Sequence, residues 1–174
     1  MPTRIFPVLA LFFLLAGEAS ALQVESPAFK DQGKIPPKYT CDGEQLSPPI
    51  RWNRPPEGTK SFALIVDDPD TPSGTWVHWV VYDLPADVLQ LSEGMPKGDL
   101  LNGGKQGNND SREAGYAGPC PPDPKPHRYF FKVYALNDLL SLPPKASKTD
   151  LLVAMNGHVL AEADIVGIYQ RAKS

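Results

Sequence analysis

Ser61-Phe62-Ala63-Leu64-Ile65-Val66 is an apolar run of strand length, and it stops at Asp67-Asp68-Pro69-Asp70-Thr71-Pro72, an acidic corner stiffened by two prolines. A short continuous apolar segment bounded by turn residues reads as a core strand. Downstream, Thr75 to Leu84 alternates with period two, which predicts Trp76, His78 and Val80 on one face and Val77, Trp79 and Val81 on the other, with Pro85 ending the strand. A third strong strand is expected over His127 to Leu136, with His127, Tyr129, Phe131 and Val133 sharing a face. Between these strands, Gly98 to Gly118 has no periodicity, and ordered loops of such length tend to be functional.

The flanks are consistent with a mainly β domain. Ser26 to Asn53 is rich in turn residues and leaves room only for short strands. Asp150 to Ala163 carries Leu151, Leu152, Met155, Val159 and Glu162 at helical spacings, with Ser147 or Thr149 as a cap and Gly157 as a weak point. That places His158 on a helix, followed by a last short strand from Ala163 to Tyr169. Among 174 residues there are 20 prolines and 14 glycines, which excludes a long-helix bundle. A formal net charge of -3 leaves no basic footprint for nucleic acid.

Residues 1–21 read as a secretory signal: Arg4, the apolar run Ile5 to Ala16, then Ala19-Ser20-Ala21 as a small-x-small cleavage site. The apolar run is too short to span a bilayer core, so residues 22–174 are expected as a single soluble domain, periplasmic or secreted. An oxidising compartment favours a disulfide between Cys41 and Cys120, with free buried thiols as the alternative. Asn109-Asp110-Ser111 matches the N-glycosylation pattern, which matters only along a glycosylating route.

If the strand ends meet, Asp68 and Asp70 supply acceptors, His78 and His127 supply donors or acceptors, and Tyr129 adds a phenolic donor. Such a set suits a small oxyanion. Either histidine alone is equally a satisfied core or edge residue. Thr71 and Ser73 flank the acidic corner but lie in no Gly-x-Ser-x-Gly elbow, which disfavours nucleophilic hydrolysis. No His-x-x-x-His pair supports a metal, and no cofactor is assigned.

Asp68-Pro69-Asp70-Thr71-Pro72, Trp76-Val77-His78-Trp79, Gly115-Tyr116-Ala117-Gly118-Pro119-Cys120-Pro121-Pro122 and His127-Arg128-Tyr129 stand in the order of the phosphatidylethanolamine-binding protein signature, also called Raf kinase inhibitor-like. The resemblance spans nearly all of Val24 to Tyr169, and Thr40-Cys41-Asp42-Gly43 with Ser47-Pro48-Pro49 looks like the bacterial branch. It implies a central antiparallel β-sheet packed against a smaller sheet, with peripheral helices and a small anion pocket. By the same resemblance Asp68, Pro72, His78, Pro122, His127 and Tyr129 fall on pocket positions, with Asp70 and Pro121 beside it. Cys120 stands where animal relatives usually carry a rim glycine, and Pro72-Ser73-Gly74-Thr75 lacks the basic insertion of eukaryotic relatives, so kinase inhibition is not carried over.

The resulting expectation is a non-enzymatic, extracytoplasmic binding or regulatory protein for phosphate or phosphorylated head groups, with a protein partner such as a protease. The alternatives are a hydrolase of phosphate compounds, metal-assisted or not, using Asp68, His78, His127 and Tyr129, and an envelope interaction protein whose pocket is unused.

Overall fold

The computed structural model describes residues 21–98, 100 and 103–171, so the segment assigned to export lies outside the described residues apart from its last position. Strand β4, Ser61–Asp68, is buried at every position because it is covered on both faces. Its even residues Phe62, Leu64 and Val66 enter one apolar cluster, and Ala63 and Ile65 enter a second. Phe62, Leu64 and Ile65 are fully buried. Each contributes about 2 kcal/mol through area removed from water. The unbroken apolar run is therefore a consequence of two cores, one on each side of the same strand.

β4 lies inside a six-stranded sheet. It pairs antiparallel with β5, Trp76–Pro85, on one side and with β8, His127–Leu136, on the other. Beyond β8 comes β9, Val159–Tyr169, and then the two-residue β2, Gly33–Lys34, which runs parallel to it; beyond β5 comes β7, Lys105–Gln106. A smaller sheet in the order β1, Gln23–Glu25, β3, Ile50–Asn53, and β6, Gln90–Leu91, adds Ile50, Trp52 and Leu91 to the first core. Helix α1, Lys148–Met155, covers the opposite face through Leu151 and Met155. This is the expected mainly β architecture, with two sheets and one α-helix among the described residues.

Two local expectations are corrected. The helix ends at Met155 and does not reach Ala163: Ser147 forms a reciprocal capping box with Asp150, and Gly157 at φ 82° reverses the chain. Val159 and Glu162 then belong to β9, where pairing from Leu136↔Val159 to His127↔Tyr169, interrupted only by a register shift at Leu160, outweighs their helical spacing. His158 sits in the connecting turn, its Nδ1 2.9 Å from Asn137 Oδ1. The second correction concerns β5. Trp79 and Val81 do share a core, but Val77 joins Val80 and Tyr82 in the other one. A bulge breaks the alternation: Val66 faces Trp79 and Asp67 faces Val77, so His78 has no opposite residue.

The long aperiodic stretch is held by side chains. Gln106 accepts from Trp79 Nε1 at 2.6 Å and donates to Pro96 O at 2.7 Å. Asn109 is 3% exposed and donates to Gly115 O at 2.9 Å, so its amide is committed internally and closed to glycosylation in the folded chain. Val77 and Asp110 exchange two bonds, Val77 N to Asp110 Oδ2 at 2.7 Å and Asp110 N to Val77 O at 3.0 Å. Those bonds fasten the loop beside the bulge. No helix among the described residues is long and apolar enough to cross a membrane.

Candidate functional site

The bulge on β5 aims His78 at the end of the sheet where β4 turns into Pro69. His78 O accepts from Ala117 N at 2.9 Å, and its ring Nδ1 lies 2.8 Å from Ala117 O. A carbonyl can only accept, so Nδ1 carries the proton and Nε2 keeps its lone pair in the neutral ring. Burial pulls the His78 pKa below the ordinary imidazole value, against smaller opposing contributions from the Ala117 carbonyl, Asp68, Asp110 and Asp67. Its ring meets Tyr129 edge-on, with centroids 5.2 Å apart.

Asp68, 1% exposed, closes the same corner. Its Oδ1 accepts from Asp70 N at 2.8 Å, and its Oδ2 faces His127 Nδ1 at 2.7 Å. The Tyr129 hydroxyl is buried beside Asp68, and among the described residues no acceptor meets full hydrogen-bond geometry with it. Burial raises that phenol's pKa far above normal and the nearby Asp68 charge raises it further, so it remains a proton donor across the physiological range.

These three groups border a cavity of about 560 Å³. One wall is the connection from β4 to β5, with Thr71, Pro72, Ser73 and Trp76; the other is Ala117, Gly118, Cys120, Pro121 and Pro122, with Ser111 at its edge. Cys41 and Gln45 complete the rim. The Cys41–Cys120 disulfide, with Cα atoms 5.4 Å apart, joins the rim segments. Gly118 lies so close to the 39–40 backbone that a Cβ there would stand 3.0 Å from both Thr40 Cα and Tyr39 O. Among the described residues no Lys or Arg lines the cavity.

Of the eight residues expected in a pocket, Asp68, Pro72, His78, Pro121, Pro122 and Tyr129 border this cavity. His127 and Asp70 do not. They line a neighbouring cleft of about 720 Å³ with Pro72, Asp123, Lys125, Pro126, Arg128 and Ile168. His127 stands behind Asp68, its Nε2 3.5 Å from Asp123 Oδ1, so both ring nitrogens face carboxylates. Asp70 is held bidentately by Arg128, Nε to Oδ2 at 2.9 Å and Nη2 to Oδ1 at 2.7 Å, and that guanidinium lowers its pKa. The pair Asp70 and His127 thus positions Asp68 from outside the cavity. Among the described residues no cluster of three or more His, Cys, Asp or Glu side chains has the arrangement to hold a metal ion.

The profile of the phosphatidylethanolamine-binding proteins matches residues 25–170. The chain belongs to that family. Proteins designated UPF0098 are similar to it along most of its length: one from Methanothermobacter thermautotrophicus is 52% identical over 86% of this chain and 99% of its own, and one from Aquifex aeolicus 51% identical over 92% and 95%. Among solved structures, the putative phosphatidylethanolamine-binding protein homologue CT736 of Chlamydia trachomatis has a TM-score of 0.80 at 42% identity, covering 87% of this chain and 99% of the other. YbcL of Escherichia coli, described as a member of the mammalian family, has a TM-score of 0.81 at 35% identity, covering 88% and 100%.

Within this family member, several cavity residues carry no chemical signal in the sequence. Ser111 and Gln45 are ordinary surface polar residues until the loops fold over the corner. Trp76 reads as one position of an alternating strand, yet it is 37% exposed at the mouth. The hint lies in its place directly after the Pro72 to Thr75 turn, where a large apolar side chain at a strand start has no neighbour to bury it.

Proposed function

We propose that this member of the phosphatidylethanolamine-binding protein family is a non-enzymatic binding protein that acts outside the cytoplasm and takes small phosphorylated compounds in the 560 Å³ cavity. The observation that carries this is the Tyr129 hydroxyl, buried in the cavity wall beside Asp68, the one acceptor it reaches, and without a hydrogen bond of full geometry among the described residues. An unsatisfied buried hydroxyl costs about 1–3 kcal/mol, and an oxygen of a bound ligand recovers it. His78 Nε2, for which the described residues supply no bond, offers a second polar contact on the same wall. The volume exceeds what a phosphate group fills, and Pro72, Trp76, Pro121 and Pro122 give an apolar surface for the group it is esterified to.

Support for a non-catalytic role comes from the hydroxyls. Thr71 Oγ1 donates to Gly74 O, and among the described residues neither His78 nor His127 bonds to a hydroxyl, so the cavity histidines are not paired with a hydroxyl nucleophile. The disulfide across 79 residues supports an oxidising compartment, in line with a secretory leader. Phosphorylethanolamine titrated into the oxidised protein, followed by NMR with inorganic phosphate as comparison, tests the assignment. Saturable shifts clustered on Asp68, His78, Ala117 and Tyr129, weakened in Tyr129→Phe, are expected. Shifts that saturate identically in Tyr129→Phe and His78→Ala would move the ligand out of this cavity.

A further inference from the structure

The main sheet is open along part of its outer strand. β9 spans eleven residues, but β2 covers only its end, pairing Gly33 with Gly167 and Lys34 with Ile168. One residue further back, Gln32 N donates to Val166 O at 2.8 Å and Val166 N donates to Asp31 Oδ1 at 2.9 Å. No strand among the described residues pairs with the outer edge from Val159 to Asp164, and β1 pairs only with β3. Val166 turns its backbone groups outward, and pairing with β8 is regular back to Ala161, so Asp164 and Glu162 turn theirs the same way. A free edge of this kind, about 20 Å long, is a template for one more strand.

The two faces of that edge differ in chemistry. On one, Glu162 stands across from Tyr134 and Asp164 from Lys132, and with Phe130 and Ala163 they line a groove of about 360 Å³. Lys132 is the only cation in that lining and is committed to Asp67 at 3.0 Å, whereas neither Glu162 nor Asp164 has an ion-pair partner among the described residues. The Tyr134 phenol feels the carboxylates: burial, then Glu162, Asp67 and Asp164, push its pKa up to about 12. On the other face Ala161 and Ala163 pack against the first core and present only methyl groups. Val159 and Leu160, where the strand starts, are 42% and 40% exposed.

We propose that the free edge of β9 takes an extended segment of a partner protein in which basic and apolar residues alternate, the basic side chains entering the groove beside Glu162 and Asp164 and the apolar ones lying over Ala161 and Ala163. The alternation follows from the two-residue period of a strand, whichever way the guest runs. Backbone groups of Glu162 and Asp164 supply the pairing, and their carboxylates, with the Tyr134 ring beside them, supply the choice of charge. A second copy is the poorer guest. Two-fold antiparallel pairing centred on Glu162 sets that carboxylate against itself, pairing centred on Ala163 sets it against Asp164, and pairing centred on Ala161 sets it against Leu160. The charges that keep copies apart therefore also select a basic guest.

The probe is a blocked peptide of about six residues alternating lysine and valine, compared with a glutamate and valine counterpart and with the lysine peptide N-methylated at its backbone amides. Each is titrated into the isotope-labelled, oxidised protein and followed by NMR. The lysine peptide is expected to give saturable shifts confined to Val159 to Asp164 and Tyr134, to slow hydrogen exchange at the Glu162 and Asp164 amides about tenfold or more, and to bind about tenfold more tightly than the glutamate peptide at ~0.1 M salt. N-methylation should abolish the exchange protection. Glu162→Gln combined with Asp164→Asn, at exposed positions outside both cores, should keep the fold and erase the preference for lysine. Any of four results overturns the proposal: no saturable binding of the lysine peptide, equal binding of the lysine and glutamate peptides, shifts centred on His78 and Tyr129 with exchange at Glu162 and Asp164 unchanged, or a dimer without peptide whose edge amides are already protected, which would make a second copy the occupant.

Discussion

Asp67 and Asp68 are neighbours on β4, both about 98% buried, and they end up in opposite circumstances. Alternation along the strand sends them to opposite faces of the sheet. Asp67 turns toward the helix and meets two ammonium groups, Lys132 Nζ at 3.0 Å and Lys148 Nζ at 2.5 Å. Asp68 turns toward the other face and receives an amide and an imidazole, with a cavity beside it. Charge saturation makes the first carboxylate a strut between β4, β8 and α1. Incomplete saturation leaves the second with lone pairs facing a space that a ligand can enter. Burial alone therefore does not separate a structural acid from a binding one; the partners do.

The two faces are also fastened differently, covalently around the cavity and ionically at the helix. Replacing Cys41 and Cys120 together by serine opens a 79-residue loop and should lower stability by about 4 kcal/mol on the loop-entropy scale. Because that bond joins the rim segments, phosphorylethanolamine binding should weaken as well. Asp67→Ala comes next. Breaking a buried ion pair costs about 3–5 kcal/mol, but both lysines are part-exposed and can regain water, so a loss of about 2 kcal/mol is expected in urea unfolding, with binding unchanged. Asp68→Ala should reverse the pattern, costing about 1–2 kcal/mol in stability and weakening phosphorylethanolamine roughly tenfold, because the carboxylate that would pair with its ammonium group is lost. Equal loss of binding in Asp67→Ala and Asp68→Ala would erase the distinction between strut and site.

A smaller effect comes from His78, whose folded pKa is held below its ordinary 6.5 by burial. The unfolded chain then binds a proton that the native state refuses. Its contribution to stability is complete above pH 6.5 and is lost as pH falls from there through the folded value. The wild-type advantage over His78→Gln should therefore shrink below pH 6.5, with a slope of at most about 1.4 kcal/mol per pH unit. A constant difference from pH 7 to pH 5 would mean that the ring is not buried neutral.

Much of this organisation is legible in the sequence, and the failures have local causes. β4 and β8 are readable because their faces are decided by simple alternation and β4 is apolar on both. The cavity residues between Asp68 and Tyr129 are legible only through the ordered motifs of the family, since nothing in their spacing brings three loops to one corner. The bulge at His78 is invisible to period-two patterning: one extra residue reassigns Val77 to the helix-facing core and points the imidazole into the wall. Val159 and Glu162 coincide with helical spacing and so predict a longer helix, whereas the ten pairs that tie β9 to β8 are a tertiary effect. Separating His127 from the cavity needed Asp123, whose carboxylate draws the ring's second nitrogen toward the outer cleft.

The gentlest test of the cavity side concerns Trp76, 37% exposed at the mouth. Exposed and outside both cores, it should tolerate Trp76→Ala with a stability change within about 0.5 kcal/mol. Under the proposed function its indole would cover the organic part of a ligand, with the phosphate lying deeper beside Tyr129 and His78. An aromatic contact of about 0.5–1.5 kcal/mol corresponds to a loss of roughly two- to tenfold in phenyl phosphate affinity. Inorganic phosphate, with no body to cover, should bind wild type and Trp76→Ala alike. If both ligands weaken in parallel, Trp76 shapes the acidic corner itself, and the division between a headgroup recognised at depth and a body recognised at the rim has to be given up.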